Sequence, residues 1–127
     1  MFCGGWLALL AVLSGCGGDD KFGTVSGTVL VDGQPVKGLE IIFEPQFAGG
    51  APSIGFSDER GKYTAMFTAD RAAVMVGQHI VRVSGVQYGE GTTNVLAKIP
   101  PRYGPESELV VDITPGSNTY DINIETK

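Results

Sequence analysis

His79 is the only side chain of this sequence whose ordinary pKa lies close to neutral pH, and it is the only histidine. Proton transfer or metal ligation at that ring would need companions, and the chain offers only two cysteines, Cys3 and Cys16. Alternation puts His79 on one strand face with Val81 and Val83, opposite Gln78, Ile80 and Arg82. That placement predicts a buried histidine, hydrogen-bonded inside a fold, rather than a catalytic base or a ligand. No serine stands in a Gly-x-Ser-x-Gly elbow, and a Ser/His/Asp triad would have to use His79 from within a strand. Asp58 and Glu59 are adjacent acids, but calcium takes six to eight oxygens from several positions, so capping of a tight turn accounts for them better. Gly89-Glu90-Gly91 precedes no helix and makes no phosphate cradle. The residues therefore predict no catalytic group, no metal site and no cofactor.

What remains for recognition is surface. Phe47, Tyr88 and Tyr103 fall in loops, where exposed aromatics contact a protein partner or a glycan. Ile99-Pro100-Pro101-Arg102-Tyr103-Gly104 is the most distinctive stretch, and there a second reading competes. Large aromatics in long loops tend to find apolar cover, so Tyr103 folds back to plug the edge of the fold while the prolines stiffen the return.

The chain has 127 residues, a formal charge of −5, 19 Gly and 7 Pro. The length suits one domain with one core, and the acidic balance argues against a nucleic-acid partner, which calls for a basic stripe. The Gly and Pro content suits a turn-rich β protein. No charged residue precedes Asp19, and Trp6 to Val12 form an apolar run that ends in Leu13-Ser14-Gly15-Cys16. The run is too short to span a bilayer, which takes roughly 20 apolar residues, and its length fits the h-region of an export signal. Leu13-Ser14-Gly15-Cys16 resembles the lipobox of bacterial lipoprotein signal peptides, although Met1–Gly5 lack the usual Lys or Arg. The resemblance implies cleavage before Cys16 and a diacylglyceryl group on its sulfur. Residues 1–15 are then a signal, 16–23 a lipidated cysteine with a flexible tether, and 24–127 the folded domain. The expected location is the cell envelope, anchored by lipid to a bacterial membrane on its periplasmic or extracellular face. With Cys3 removed, the mature domain has no disulfide and holds by packing alone.

From Thr24 onward the hydrophobic period is two, which predicts strands. Val25, Gly27, Val29 and Val31 alternate in the first, and Asp32-Gly33-Gln34-Pro35 turns the chain. Leu39, Ile41 and Phe43 form the inward face of a second strand, and Ser53 to Ser57 read as a short third carrying Ile54 and Phe56. Asp58-Glu59-Arg60-Gly61 turns into a fourth, with Tyr63, Ala65 and Phe67 inward. Residues 69–76 have no firm assignment beyond one helical turn at Ala72-Ala73-Val74-Met75. Gly77 opens the fifth strand, residues 85–105 form a long connection, and Glu108 to Ile113 make the sixth. Pro115-Gly116-Ser117-Asn118 reads as a turn into a seventh strand with Tyr120, Ile122 and Ile124 on one face. The prediction is an all-β fold, a seven-stranded antiparallel Greek-key β-sandwich.

Val25-Ser26-Gly27-Thr28-Val29, then Asp32-Gly33-Gln34-Pro35-Val36-Lys37-Gly38, then Asp58-Glu59-Arg60-Gly61-Lys62-Tyr63 resemble the carboxypeptidase regulatory-like domain. Gly77 to Val83 is similar to that family's later strand, with His79 where an inward aromatic is usual. The resemblance covers about Val25 to Ile124 and implies a transthyretin-like (prealbumin-like) sandwich; its motifs belong to turns and core and say little of activity. Transthyretin-related hydrolases of 5-hydroxyisourate use several histidines and an arginine, machinery that a chain with one histidine does not display. The internal Lys–Asn crosslink of collagen-adhesin B-type domains needs a lysine in the first strand, and Thr24–Val31 contain none. The function expected is a membrane-anchored, non-enzymatic extracytoplasmic module for protein or envelope interaction. The alternative is a carbohydrate- or small-ligand-binding module that uses the 85–105 loop, and a hydrolase comes last.

Overall fold

The structure, a computed structural model, describes residues 20–85 and 99–126. Ten strands follow in chain order: β1 (Phe22–Val31), β2 (Gln34–Pro35), β3 (Leu39–Pro45), β4 (Ser53–Phe56), β5 (Lys62–Thr64), β6 (Val74–Met75), β7 (Gly77–Gly85), β8 (Leu109–Ile113), β9 (Gly116–Thr119) and β10 (Ile122–Ile124). One 3₁₀ turn, Pro101–Tyr103, precedes β8. The strands form two sheets, so the expected all-β sandwich is the fold. One sheet is antiparallel in the order β4-β3-β7-β8. The other is built on β1, flanked on one side by β6, β5 and β2 and on the other by β9 and β10.

The inner faces follow the period of two. Val25 and Val29 of β1 meet Leu39, Ile41 and Phe43 of β3 and Val81 and Val83 of β7, all fully buried. Tyr63 and Ala65 are buried beside them, as expected, whereas Phe67 is only half-buried and packs edge-on against Phe22, with ring centroids 5.0 Å apart. The turns behave as their residues dictate. Asp32 and Gly33 both take positive φ (52° and 83°), the type I′ geometry that matches strand twist in a two-residue hairpin. The Asp58 carboxylate accepts the N–H groups of Arg60 (2.8 Å) and Lys62 (2.9 Å), and Gly61 turns the chain at φ 79°. Those two backbone donors hold the Asp58 carboxyl below its ordinary pKa.

Three local expectations are corrected. Where a turn was expected at Pro115-Gly116-Ser117-Asn118, Gly116–Thr119 is a strand that runs parallel to β1, and β10 is parallel to β1 as well. The cause is the route of the chain. β8 ends beside Gly77, at the end of the sandwich where β1 begins, so the crossover feeds β9 along β1 in the same direction. The seventh strand, expected from Tyr120 onward, is only Ile122–Ile124, and the Tyr120 carbonyl crosses Gly27 so closely that a Cβ there would lie 2.0 Å from it. The helical turn suggested for 72–75 is instead β6, paired with Phe22 and Gly23. That pairing also starts the ordered strand at Phe22, two residues before the expected boundary at 24.

Candidate interaction surface

His79 lies on the inner face of β7 and is fully buried. Its Nδ1 is 3.1 Å from the Gly77 carbonyl oxygen, so the ring proton sits there and donates. Nε2 has no partner among the described residues. Burial lowers the pKa of the ring, and the Gly77 bond opposes that only in part. Phe47 closes the site from outside. Its ring meets His79 edge-on with centroids 5.7 Å apart and rests against Gly77, where a Cβ would lie 2.6 Å from the ring. The ring is thus buried and hydrogen-bonded within the sandwich, where the alternation with Val81 and Val83 places it.

The candidate contact residues do not converge. Phe47 is half-buried at the end of the sandwich where β1 begins. Tyr103 lies at the opposite end, half-buried against the core, and its hydroxyl accepts the Glu125 N–H at 3.0 Å. That is the plugging role weighed for it from sequence. Arg102, its neighbour, donates to the Glu125 carbonyl and stacks over the Tyr103 ring at 4.9 Å. Tyr88 and Cys16 lie outside the described residues, as does most of the 85–105 connection. Among the described residues no group of three or more His, Cys, Asp or Glu could hold a metal ion. None of the helices among them is long and apolar enough to cross a membrane.

The surface that sequence reasoning missed is the outer face of the four-stranded sheet. In β4 the usual pattern is inverted. Ser53 and Gly55 point inward: a Cβ at 55 would lie 2.7 Å from the Thr64 carbonyl oxygen, and Ser53 satisfies its hydroxyl on the Ala73 carbonyl at 2.7 Å. Ile54 and Phe56 therefore face outward, and Phe56 is 49% exposed. Ile54 stands opposite Ile42, and on the far side Ile80 stands opposite Val110, which is 52% exposed. Between the two apolar pairs runs an ion pair, Arg82 Nε to Glu44 Oε1 at 2.8 Å. The same guanidinium donates to the Gly104 and Pro105 carbonyls at 2.9 Å, which fixes the segment after the 3₁₀ turn to this face. An exposed pair of this kind contributes at most about 1 kcal/mol to stability. Its larger effect is geometric, because it ties β3 to β7 between the two apolar pairs.

No family model and no curated protein matches the chain. Among solved structures, a DUF3823 family protein from Parabacteroides merdae ATCC 43184 is similar, with 14% identity and a TM-score of 0.45. The match covers 84% of this chain and 46% of that one, so the chain spans less than half of that protein's length.

Proposed function

We propose that this chain is a lipid-anchored, non-enzymatic interaction module of the bacterial cell envelope, with a sandwich of the carboxypeptidase regulatory-like, transthyretin-like kind. The observation that carries the interaction role is the outer face of β4-β3-β7-β8, where Phe56 and Val110 are exposed in strands whose interior is already filled. Exposed side chains of this size, arranged with Ile42, Ile54 and Ile80 around a fixed ion pair, suit a flat partner surface with an apolar centre. The non-enzymatic part of the reading is supported by His79, whose ring is neutral, buried and covered by Phe47. The anchor is supported by Leu13-Ser14-Gly15-Cys16 behind its apolar run. The family reading is supported by the Asp32-Gly33 and Asp58–Gly61 turns and by Tyr63, whose hydroxyl donates to the Tyr120 carbonyl across the sheet built on β1. The glycan-binding alternative rests on the 85–105 connection, most of which lies outside the described residues; within them, Tyr103 engages its hydroxyl with the Glu125 N–H.

The test is a photo-crosslinking amino acid placed at position 56 or 110 in living cells, with position 123, exposed in β10 of the other sheet, as control. A discrete adduct from 56 and 110, absent from 123 and lost on Ile80→Glu, supports the reading. Equal or absent adducts at all three positions contradict it.

A further inference from the structure

The end of the sandwich where β1 begins carries an aromatic cluster that the interaction face does not include. Phe22 and Phe67 meet edge-on, and the Arg71 guanidinium lies 4.1 Å over the Phe22 ring. Phe22 and Arg71 also line a shallow groove of about 310 Å³ whose other wall is Gly116 and Ser117. Both rings are half-buried, while Arg71, Ala72 and Ser117 are exposed. An amphipathic group of this composition, apolar rings with a cation stacked over them, is what a phospholipid interface accepts.

We propose that this end of the domain rests on the bilayer, with the Phe22–Phe67 pair at the headgroup level and Arg71 toward the lipid phosphates. The inference rests on the anchoring reading of Cys16 and extends it to an orientation. Only six residue steps separate Cys16 from Phe22, at most roughly 20 Å of extended chain. β1 then runs ten residues, roughly 33 Å, away from that point, so the Asp32-Gly33 turn lies at the far end. The tether thus delivers one particular end to the membrane, and that end holds the aromatic–arginine cluster. A link of so few residues also sets a local concentration in the millimolar range, so a contact too weak to recruit the free domain is populated once the lipid is in place. The Asp32-Gly33 turn is then presented away from the lipid.

The experiment uses the full chain, expressed in bacteria and reconstituted into vesicles of anionic phospholipid with bromine on the acyl chains. Each variant carries Trp6→Phe, so that the introduced indole is the only one. Phe22→Trp probes the cluster, Ser117→Trp probes the same groove from an exposed position that tolerates the change, and Gln34→Trp marks the far end. The expected result is loss of emission at 22 and 117, at interfacial depth, and none at 34. Protein that floats with the vesicles but shows no quenching at 22 or 117, or equal quenching at 34, overturns the orientation and leaves the anchor intact. Protein that does not float and carries no lipid on Cys16 overturns the anchoring reading, and the orientation with it.

Discussion

Replacing His79 with Phe removes the one buried polar atom that lacks a partner among the described residues. An unsatisfied buried group costs about 1–3 kcal/mol, whereas the Nδ1–H bond to the Gly77 carbonyl is worth about 0.5–1.5 kcal/mol. Gly77 is only half-buried, so its carbonyl regains water when the donor goes. The aromatic contact with Phe47 survives in the variant. The balance is a gain of about 1 kcal/mol, or roughly 4–8 °C in Tm for a domain of this size. The pH dependence carries the sharper signature. In the folded wild type the ring's pKa is below its ordinary value of 6.5, so the unfolded chain binds the proton more readily. Stability from this group is complete above 6.5 and is lost as pH falls from there through the lower folded value, by at most about 1.4 kcal/mol per pH unit. Urea unfolding followed by circular dichroism at about pH 8 and about pH 5 reads both effects. The variant is expected to be more stable at the higher pH and to lose less on acidification than the wild type. A variant that is weaker at about pH 8 by more than about 1.5 kcal/mol, or that keeps the full acid slope, would refute the account of His79.

Four further outcomes follow from the same geometry. Phe47→Ala uncovers the ring, and NMR titration should show the His79 pKa rising toward 6.5; an unmoved value would mean that Phe47 is not its cover. Gly27→Ala drives a Cβ into the Tyr120 carbonyl and should cost about 3 kcal/mol or more in chemical denaturation, a backbone clash that no rotamer relieves. Tyr63→Phe removes the donor to the same carbonyl and should cost about 0.5–1.5 kcal/mol. Asp58→Asn weakens the hold on two backbone donors; it should lower stability near neutral pH and remove the part of the acid sensitivity that wild type shows below 3.8, as its carboxylate protonates through the depressed folded value.

Much of the fold was legible because local chemistry and burial agree. Asp32-Gly33 demands a hairpin turn, Asp58 and Gly61 demand another, and the spacing of Leu39, Ile41 and Phe43 leaves one choice of inner face. The burial of His79 followed from its place in the Val81/Val83 alternation. The misses have physical causes as well. Gly116-Ser117-Asn118-Thr119 has no apolar alternation, and it is a strand because its backbone pairs with β1 while Asn118 ties Thr24 and Thr114 together. The outward direction of Ile54 and Phe56 was invisible in the sequence because it goes with the packing of the next strand, where the Thr64 carbonyl and the Tyr63 ring lie close under Gly55. The partly apolar outer face of the four-stranded sheet was hidden for the same reason, since which of two alternating sets faces out depends on what fills the other side. Tyr103 left two readings open from sequence, and the Glu125 N–H that its hydroxyl meets could not be anticipated across 22 residues of chain.

The proposal that most depends on a single atom is the attachment at Cys16, and intact-mass spectrometry of the protein extracted from bacterial membranes measures it directly. The account predicts a chain that begins at Cys16 and carries the added mass of diacylglycerol, with or without a further acyl chain. A chain that retains residues 1–15, or one whose Cys16 thiol is free, would contradict it.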